Sequence, residues 1–299
     1  MILQKSIDMN TFSRIVSLVL GLVVFSNVNG QNSPGMKSLT AGQIIEKIIK
    51  NTNAATIPNT VDVIKEGDPE TVVTGIVTSM FATMEILEQA VAMRCNLLIV
   101  HEPLYYNHLD ETRHLKNDPV YLEKKKFIEE NKLVVWRFHD YIHSMWPDGI
   151  ESGMVVKLGW KAYTLPGSTN QFVIPETDLG SLLAYLKEIF PAAAFYVIGK
   201  PEMKLSRVVL SAGAPGSEAH FAILRNNDVD VVLAGEVPQW ETYEYMRDAV
   251  AQNRKKAIIF LGHVNSEEAG MMYCADWLRG FIGNIPVKFV ESGPAYWSY

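Results

Sequence analysis

The chain has 299 residues, a formal net charge of -6 and 48% hydrophobic side chains. Apolar content of that order supplies a packed core and excludes a chain that stays disordered. A mildly acidic balance without a strong Lys/Arg cluster excludes the phosphate-backbone binding that basic residues drive through counterion release, so nucleic acid is not an expected partner.

The first elements lie outside any fold. Lys5 and Arg14 precede an apolar run from Ile15 to Phe25, and Val28-Asn29-Gly30 offers small residues for cleavage. This reads as an export signal over residues 1–30, with a buried N-terminal helix as the alternative. The run is too short to span a bilayer, which takes about 20 apolar residues. No later segment is long and apolar enough to do so. The expectation is an exported protein, periplasmic or extracellular, with no membrane association after cleavage. Cys95 and Cys274 both sit among apolar residues and are expected as buried thiols, a single disulfide being the alternative.

From Thr40 the pattern alternates between helical and strand periods, as in an α/β layer architecture. Thr40 with Gln43 has the form of a capping box, and Ile44, Ile45, Ile48 and Ile49 fall on one helical face. Strands are expected at 72–77, 97–100, 133–136, 207–210, 229–233 and 257–261. Helices are expected at 84–93, 121–131, 179–190, 218–226, 238–251 and 267–281. Several strands are apolar throughout, which fits sheets covered on both faces. Pro166-Gly167-Ser168-Thr169-Asn170 gathers turn formers and reads as a linker.

Four of these strands run directly into residues that bind metals or move protons. Leu97–Val100 leads to His101-Glu102, Leu133–Phe138 to His139-Asp140-Tyr141-Ile142-His143, Val229–Ala234 to Gly235-Glu236, and Ala257–Leu261 to Gly262-His263. In open α/β sheets the functional crevice lies beyond the carboxyl ends of the strands, so these ends are expected to converge. Any single histidine after a strand is more often structural; four of seven at three strand ends are harder to obtain by accident. His108, His114 and His220 lie elsewhere and are expected to be solvated.

His263 and Glu267 are four residues apart and share a face at the start of a helix that Ser266 is placed to cap. Mixed imidazole and carboxylate ligands suit zinc, iron, manganese or nickel better than calcium or magnesium. The absence of cysteine at these positions argues against a structural zinc site of the thiolate type. His101, Glu102, His139, His143, His263 and Glu267 exceed the needs of one tetrahedral ion. They fit two divalent metal ions about 3.5–4 Å apart, which activate a water for hydrolysis. Asp140 and Glu236 are then candidates for general base or for orienting a ligand. For Glu236 the competing reading is a carboxylate at a helix N-terminus, and for Asp140 a solvated loop residue. There is no Gly-x-Ser-x-Gly elbow and no phosphate-binding loop. Ser211–Ser217 is either an anion-facing loop or a plain strand-to-helix turn.

On these motifs the chain resembles the NIF-three-like dinuclear metal-centre family, whose members are often labelled GTP cyclohydrolase I type 2 homologues. The resemblance runs from about Lys37 to the C-terminus. It includes Gly67-Asp68-Pro69, Leu97–Leu104, His139–His143, Gly213-Ala214-Pro215-Gly216, Gly235-Glu236 and His263 with Glu267. The family normally carries two adjacent histidines in the first motif and ends the second on aspartate. Here Glu102 and His143 stand at those positions, so the ligand count is kept while its order changes.

The resemblance implies two α/β lobes with mixed sheets flanked by helices, a dinuclear metal site at the strand carboxyl ends, and a ring-like homo-oligomer. The corresponding division places residues 36–165 and 255–299 in the first lobe and 171–254 in the second. The function expected is a metal-dependent hydrolase of an unidentified small molecule. The alternatives are a non-catalytic metal-binding or regulatory homo-oligomer, and a purely structural exported protein.

Overall fold

Thr40 accepts a hydrogen bond from the Gln43 amide, and the Gln43 side chain accepts one from the Thr40 amide. This reciprocal cap starts α1 (Ala41–Thr52), whose Ala41, Ile44, Ile45 and Ile48 are buried. The structure, a computed structural model, describes residues 38–293 and 295–296. The export signal expected over residues 1–30 therefore lies outside the described residues.

After α1 come β1 (Ile64–Glu66), β2 (Ile76–Ser79), α2 (Met84–Ala92), β3 (Leu97–Val100), α3 (Pro119–Glu130), β4 (Val134–Arg137), α4 (Asp140–His143) and α5 (Gly149–Lys157). The chain continues through β5 (Gln171–Asp178), α6 (Leu179–Ile189), β6 (Tyr196–Ile198), β7 (Lys204–Ser211), α7 (Ser217–Leu224), β8 (Val231–Ala234) and α8 (Thr242–Ala251). It closes with β9 (Ala257–Phe260), α9 (His263–Arg279) and β10 (Val287–Phe289).

Two five-stranded mixed sheets result. The first has the order β1-β4-β3-β2-β10, parallel except for β1. The second has the order β5-β7-β8-β9-β6, with antiparallel edges β5 and β6 around a parallel centre. The centre strands β2, β3, β4, β8 and β9 are buried at every residue. Helices cover both faces of such strands.

One expectation shifts. The strand expected from Val72 starts only at Ile76, because Thr74 donates its amide to the Asn96 side chain and the Val72 carbonyl accepts from the same side chain. Val72 keeps just an isolated bridge to Thr40. Strand β9 pairs with β8 and β6 and carries the second sheet as far as Phe260, while β10 returns to the first.

Helix α9 joins the two halves. Met271, Cys274, Ala275 and Leu278 belong to the core over the first sheet, and Ala269 to the core over the second. Against it lies α5, at a crossing that only small residues permit. A Cβ on Gly153 would stand 2.5 Å from Gly270 Cα, and one on Gly270 would stand 2.5 Å from Ile150 Cα. This crossing sets the start of α9 against the segment leading into α5, and both carry site residues. Cys95 and Cys274 are free and buried, as expected.

Candidate metal centre

The parallel strands deliver their carboxyl ends to one place. His101 and Glu102 follow β3, and His139 stands at the entrance to α4, which ends on His143. His263 opens α9 immediately after β9, and Glu267 lies one turn on. His101, Glu102 and Glu267 offer ligand atoms within 4.8 Å of one another, as do His101, His139 and His143. His101 belongs to both groups. His263 Nε2 lies 3.2 Å from Glu102 Oε1 and 3.0 Å from Glu267 Oε2, and His101 Nε2 lies 3.5 Å from Glu267 Oε2. All six residues singled out as ligands are thus brought together.

Each of the four imidazoles is held by its other nitrogen. The Nδ1 of His101 lies 3.2 Å from the Phe138 carbonyl, that of His139 2.9 Å from Asp140 Oδ1, that of His143 2.9 Å from Asp148 Oδ2, and that of His263 2.8 Å from Glu236 Oε1. A carbonyl or ionised carboxylate oxygen only accepts, so Nδ1 donates in all four and Nε2 is the nitrogen left that could face a metal ion. This is the arrangement that metal-binding histidines use to fix ring orientation. His101 Nε2 is fully buried and, among the described residues, has no hydrogen-bond partner. A buried orphan of this kind is costly unless something occupies the space in front of it. The donor set therefore fits a divalent metal ion.

Asp140 and Glu236 find their place here as carboxylates that orient His139 and His263. Asp140 is held in turn by the Thr60 hydroxyl and the Val61 amide. Ser266 does not cap α9, which begins three residues earlier, with Gly262 before it. Its hydroxyl accepts from the Gly213 amide at 3.0 Å and donates to the His263 carbonyl at 2.7 Å, tying the 211–217 turn to the ligand helix. Gly213 has φ +66°, and a Cβ there would collide with the Glu267 carboxylate.

Several supporting residues carried no sequence signal. Asp62 accepts the backbone amides of His139, Asp140 and Tyr141 at 2.8–2.9 Å and so fixes the first turn of α4. Asp148, in a Pro-Asp-Gly stretch that reads as a turn, holds His143 and caps α5. Arg137 is fully buried, donates to the carbonyls of His101 and His108, and lies 3.6 Å from Glu102. His220 is buried rather than solvated, because α7 packs its Nδ1 within 3.4 Å of the Thr242 hydroxyl. His108 and His114 are exposed as expected.

The charges reinforce one another. Burial works against a charged Glu267, but the neighbouring imidazoles of His101 and His263 hold its carboxyl well below the usual carboxylate range. Burial likewise opposes the charge on His263, yet Glu102 and Glu267 raise it to about 11. Burial together with the neighbouring His101 pushes His139 down to about 4, despite its bond to Asp140. Without a metal ion the proton on His263 offsets the Glu102–Glu267 pair, and an ion bound at its Nε2 would take that proton's place.

The ligand set opens on a cavity of about 670 Å³ lined by Glu102, His139, Glu236, His263 and Glu267 on one side. Phe81, Met84, Leu104, Tyr106, His108 and Lys124 are among the other residues that line it. Among the described residues no helix is long and apolar enough to cross a membrane.

The model of the Duf34/NIF3 (NGG1p interacting factor 3) family matches residues 36–294. The chain belongs to this family. It is 23% identical over 234 residues to a GTP cyclohydrolase 1 type 2 homolog of Clostridium acetobutylicum, covering 74% of this chain and 82% of that protein. Among solved structures it is similar to Staphylococcus aureus hypothetical protein SA1388, with TM-score 0.68, 14% identity, and coverage of 88% and 99% of the two chains. It is equally similar to a Bacillus cereus protein related to NIF3, with TM-score 0.68, 12% identity, and coverage of 88% and 100%. These likenesses establish the fold.

Proposed function

We propose that the chain is an exported metal-dependent hydrolase whose two divalent metal ions are held by His101, Glu102, His139, His143, His263 and Glu267. The observation that carries this reading is the set of four imidazoles with Nδ1 fixed on an acceptor, two of which, His101 and His263, turn Nε2 toward Glu267. Zinc, iron, manganese and nickel all suit such a set. When bound, paired ions of this type lower the pKa of a water enough to supply hydroxide near neutral pH.

The protein's own residues do the rest. Asp140, Asp148, Glu236 and the Phe138 carbonyl keep the rings in the orientation that presents Nε2. Arg137 offsets the charge of Glu102, and the Gly213 turn leaves room for the Glu267 carboxylate. Substrate enters from the adjoining cavity.

One observation favours a second reading, a non-catalytic metal-binding or regulatory protein: Asp140 and Glu236 are both committed to histidines, which leaves neither free to take a proton from water. In either case we propose self-association into a ring-like homo-oligomer and export directed by residues 1–30. The test is turnover by metal-loaded protein on panels of cyclic amides, phosphoesters and nucleotides. Metal-dependent turnover that His263→Ala and Glu267→Ala abolish supports the hydrolase. Stoichiometric metal without turnover supports the second reading.

A further inference from the structure

The loop after β3 forms one wall of the cavity and is held unusually firmly. The Tyr105 amide donates to Asp110 at 2.7 Å, the Asn107 side chain donates to the Tyr105 and Glu111 carbonyls, and Arg137 donates to the His108 carbonyl. Within this loop Tyr106 has φ +65°, a left-handed conformation that costs stability for a residue with a bulky side chain. Its ring is 58% exposed and lines the cavity. The bonds around it over-determine the strain, and the result is an aromatic face presented to the space beside the metal ligands.

Behind that ring stands Lys124, 6% exposed and the one ammonium among the lining residues. It donates to the Leu104 carbonyl at 2.8 Å, and its Nζ lies 5.3 Å from the Tyr106 ring and 5.9 Å from the Tyr105 ring. No carboxylate among the described residues pairs with it, and an ammonium carries three donors. A buried charge with unused donors is costly unless a partner arrives. Burial pushes its pKa down to about 8, so it remains charged near neutrality.

We propose that Lys124 and Tyr106 make this cavity a recognition pocket for a small molecule bearing an oxyanion, the ammonium receiving the oxyanion and the tyrosine ring covering the apolar body attached to it. This rests on the hydrolase reading for what happens at the metal end, but binding is measurable without turnover.

The test is calorimetric titration of the whole chain, chelated and metal-loaded, with benzoate, phenyl phosphate, acetate and uncharged benzyl alcohol. In the chelated protein, benzoate or phenyl phosphate should bind at least about 10-fold more tightly than benzyl alcohol, the effect of one charge-assisted hydrogen bond. Whichever anion binds better identifies carboxylate or phosphate as the source. Lys124→Met should lose that preference while keeping its metal content. Tyr106→Gly, which suits the left-handed backbone, should lose the preference for benzoate over acetate, and it decides the matter if Lys124→Met does not fold. Equal binding of charged and uncharged probes, or anion binding seen only with metal present and unaffected by Lys124→Met, would overturn the proposal. Probe binding as expected with no turnover on any substrate leaves the pocket standing and removes the hydrolase.

Discussion

Replacing Gly153 by alanine tests how the fold holds the candidate metal centre from a distance. The new methyl would stand 2.5 Å from Gly270 Cα and closer still to the Ala269 carbonyl, whereas ordinary contact begins at 3.4 Å. Both obstacles are backbone of α9, so no side chain can swing aside, and α5 must retreat by roughly 1 Å. Overpacking of this kind costs about 1–3 kcal/mol or more, against about 1 kcal/mol gained from replacing a helical glycine. Because both obstacles are backbone the upper end applies, and the net loss is roughly 2 kcal/mol, a fall of about 4–8 °C in melting temperature for a domain of this size. The retreat also carries Asp148 and His143 away from Glu267 by more than the ~0.5 Å a preorganised site tolerates. Metal affinity should therefore drop with stability. The measurements are a thermal melt of the chelated protein and a competitive metal titration. A Gly153→Ala protein with unchanged melting temperature and metal affinity would refute the claim that this crossing positions the site.

Other changes separate the remaining roles. Asp148→Asn keeps a capping oxygen for α5 but removes the carboxylate from His143, so metal affinity measured by competition should fall about 10–100-fold with little loss of stability. Ser266→Ala strands the buried Gly213 amide and should cost about 1–3 kcal/mol in chemical denaturation. Lys124 has a folded pKa of about 8 below its ordinary 10.5, so between those values the unfolded chain binds more protons and stability rises with pH. The penalty is fully present below pH 8 and relieved by about 10.5. Relative to Lys124→Met, wild-type stability should thus climb by up to about 3 kcal/mol across that window, and a flat difference would contradict the burial of the charge.

Much of this was legible because the informative strands are buried and uninterrupted. Leu97–Val100 and Ala257–Phe260 are apolar runs closed by histidine or glycine, and their ends carry the ligands. What the periodicity concealed were edge and support elements. In β5, Pro175 and alternating polar residues disguise an edge strand whose register shifts between Val173 and Thr177. Helix α5 opens on Gly149 and holds Gly153, poor helix formers kept for close approach to Ile142 and to α9. Helix α9 starts at His263 rather than Glu267 because the turn at Gly262, with φ +86°, feeds directly into it. Asp62 and Arg137 were invisible for another reason: their roles depend on strands pairing across long stretches of chain. Ligands leave a local signature when they end strands, whereas the groups that orient them can come from anywhere in the fold.

The central claim is that six side chains at the ends of β3, β4 and β9 form a site for divalent metal. Elemental analysis of the purified chain, alongside His263→Ala and Glu267→Ala proteins confirmed to be folded, tests it most directly. The account predicts close to two ions of zinc, iron, manganese or nickel per wild-type chain and loss of metal in both variants. Less than one ion per chain in the wild type, or undiminished metal in the variants, would contradict it.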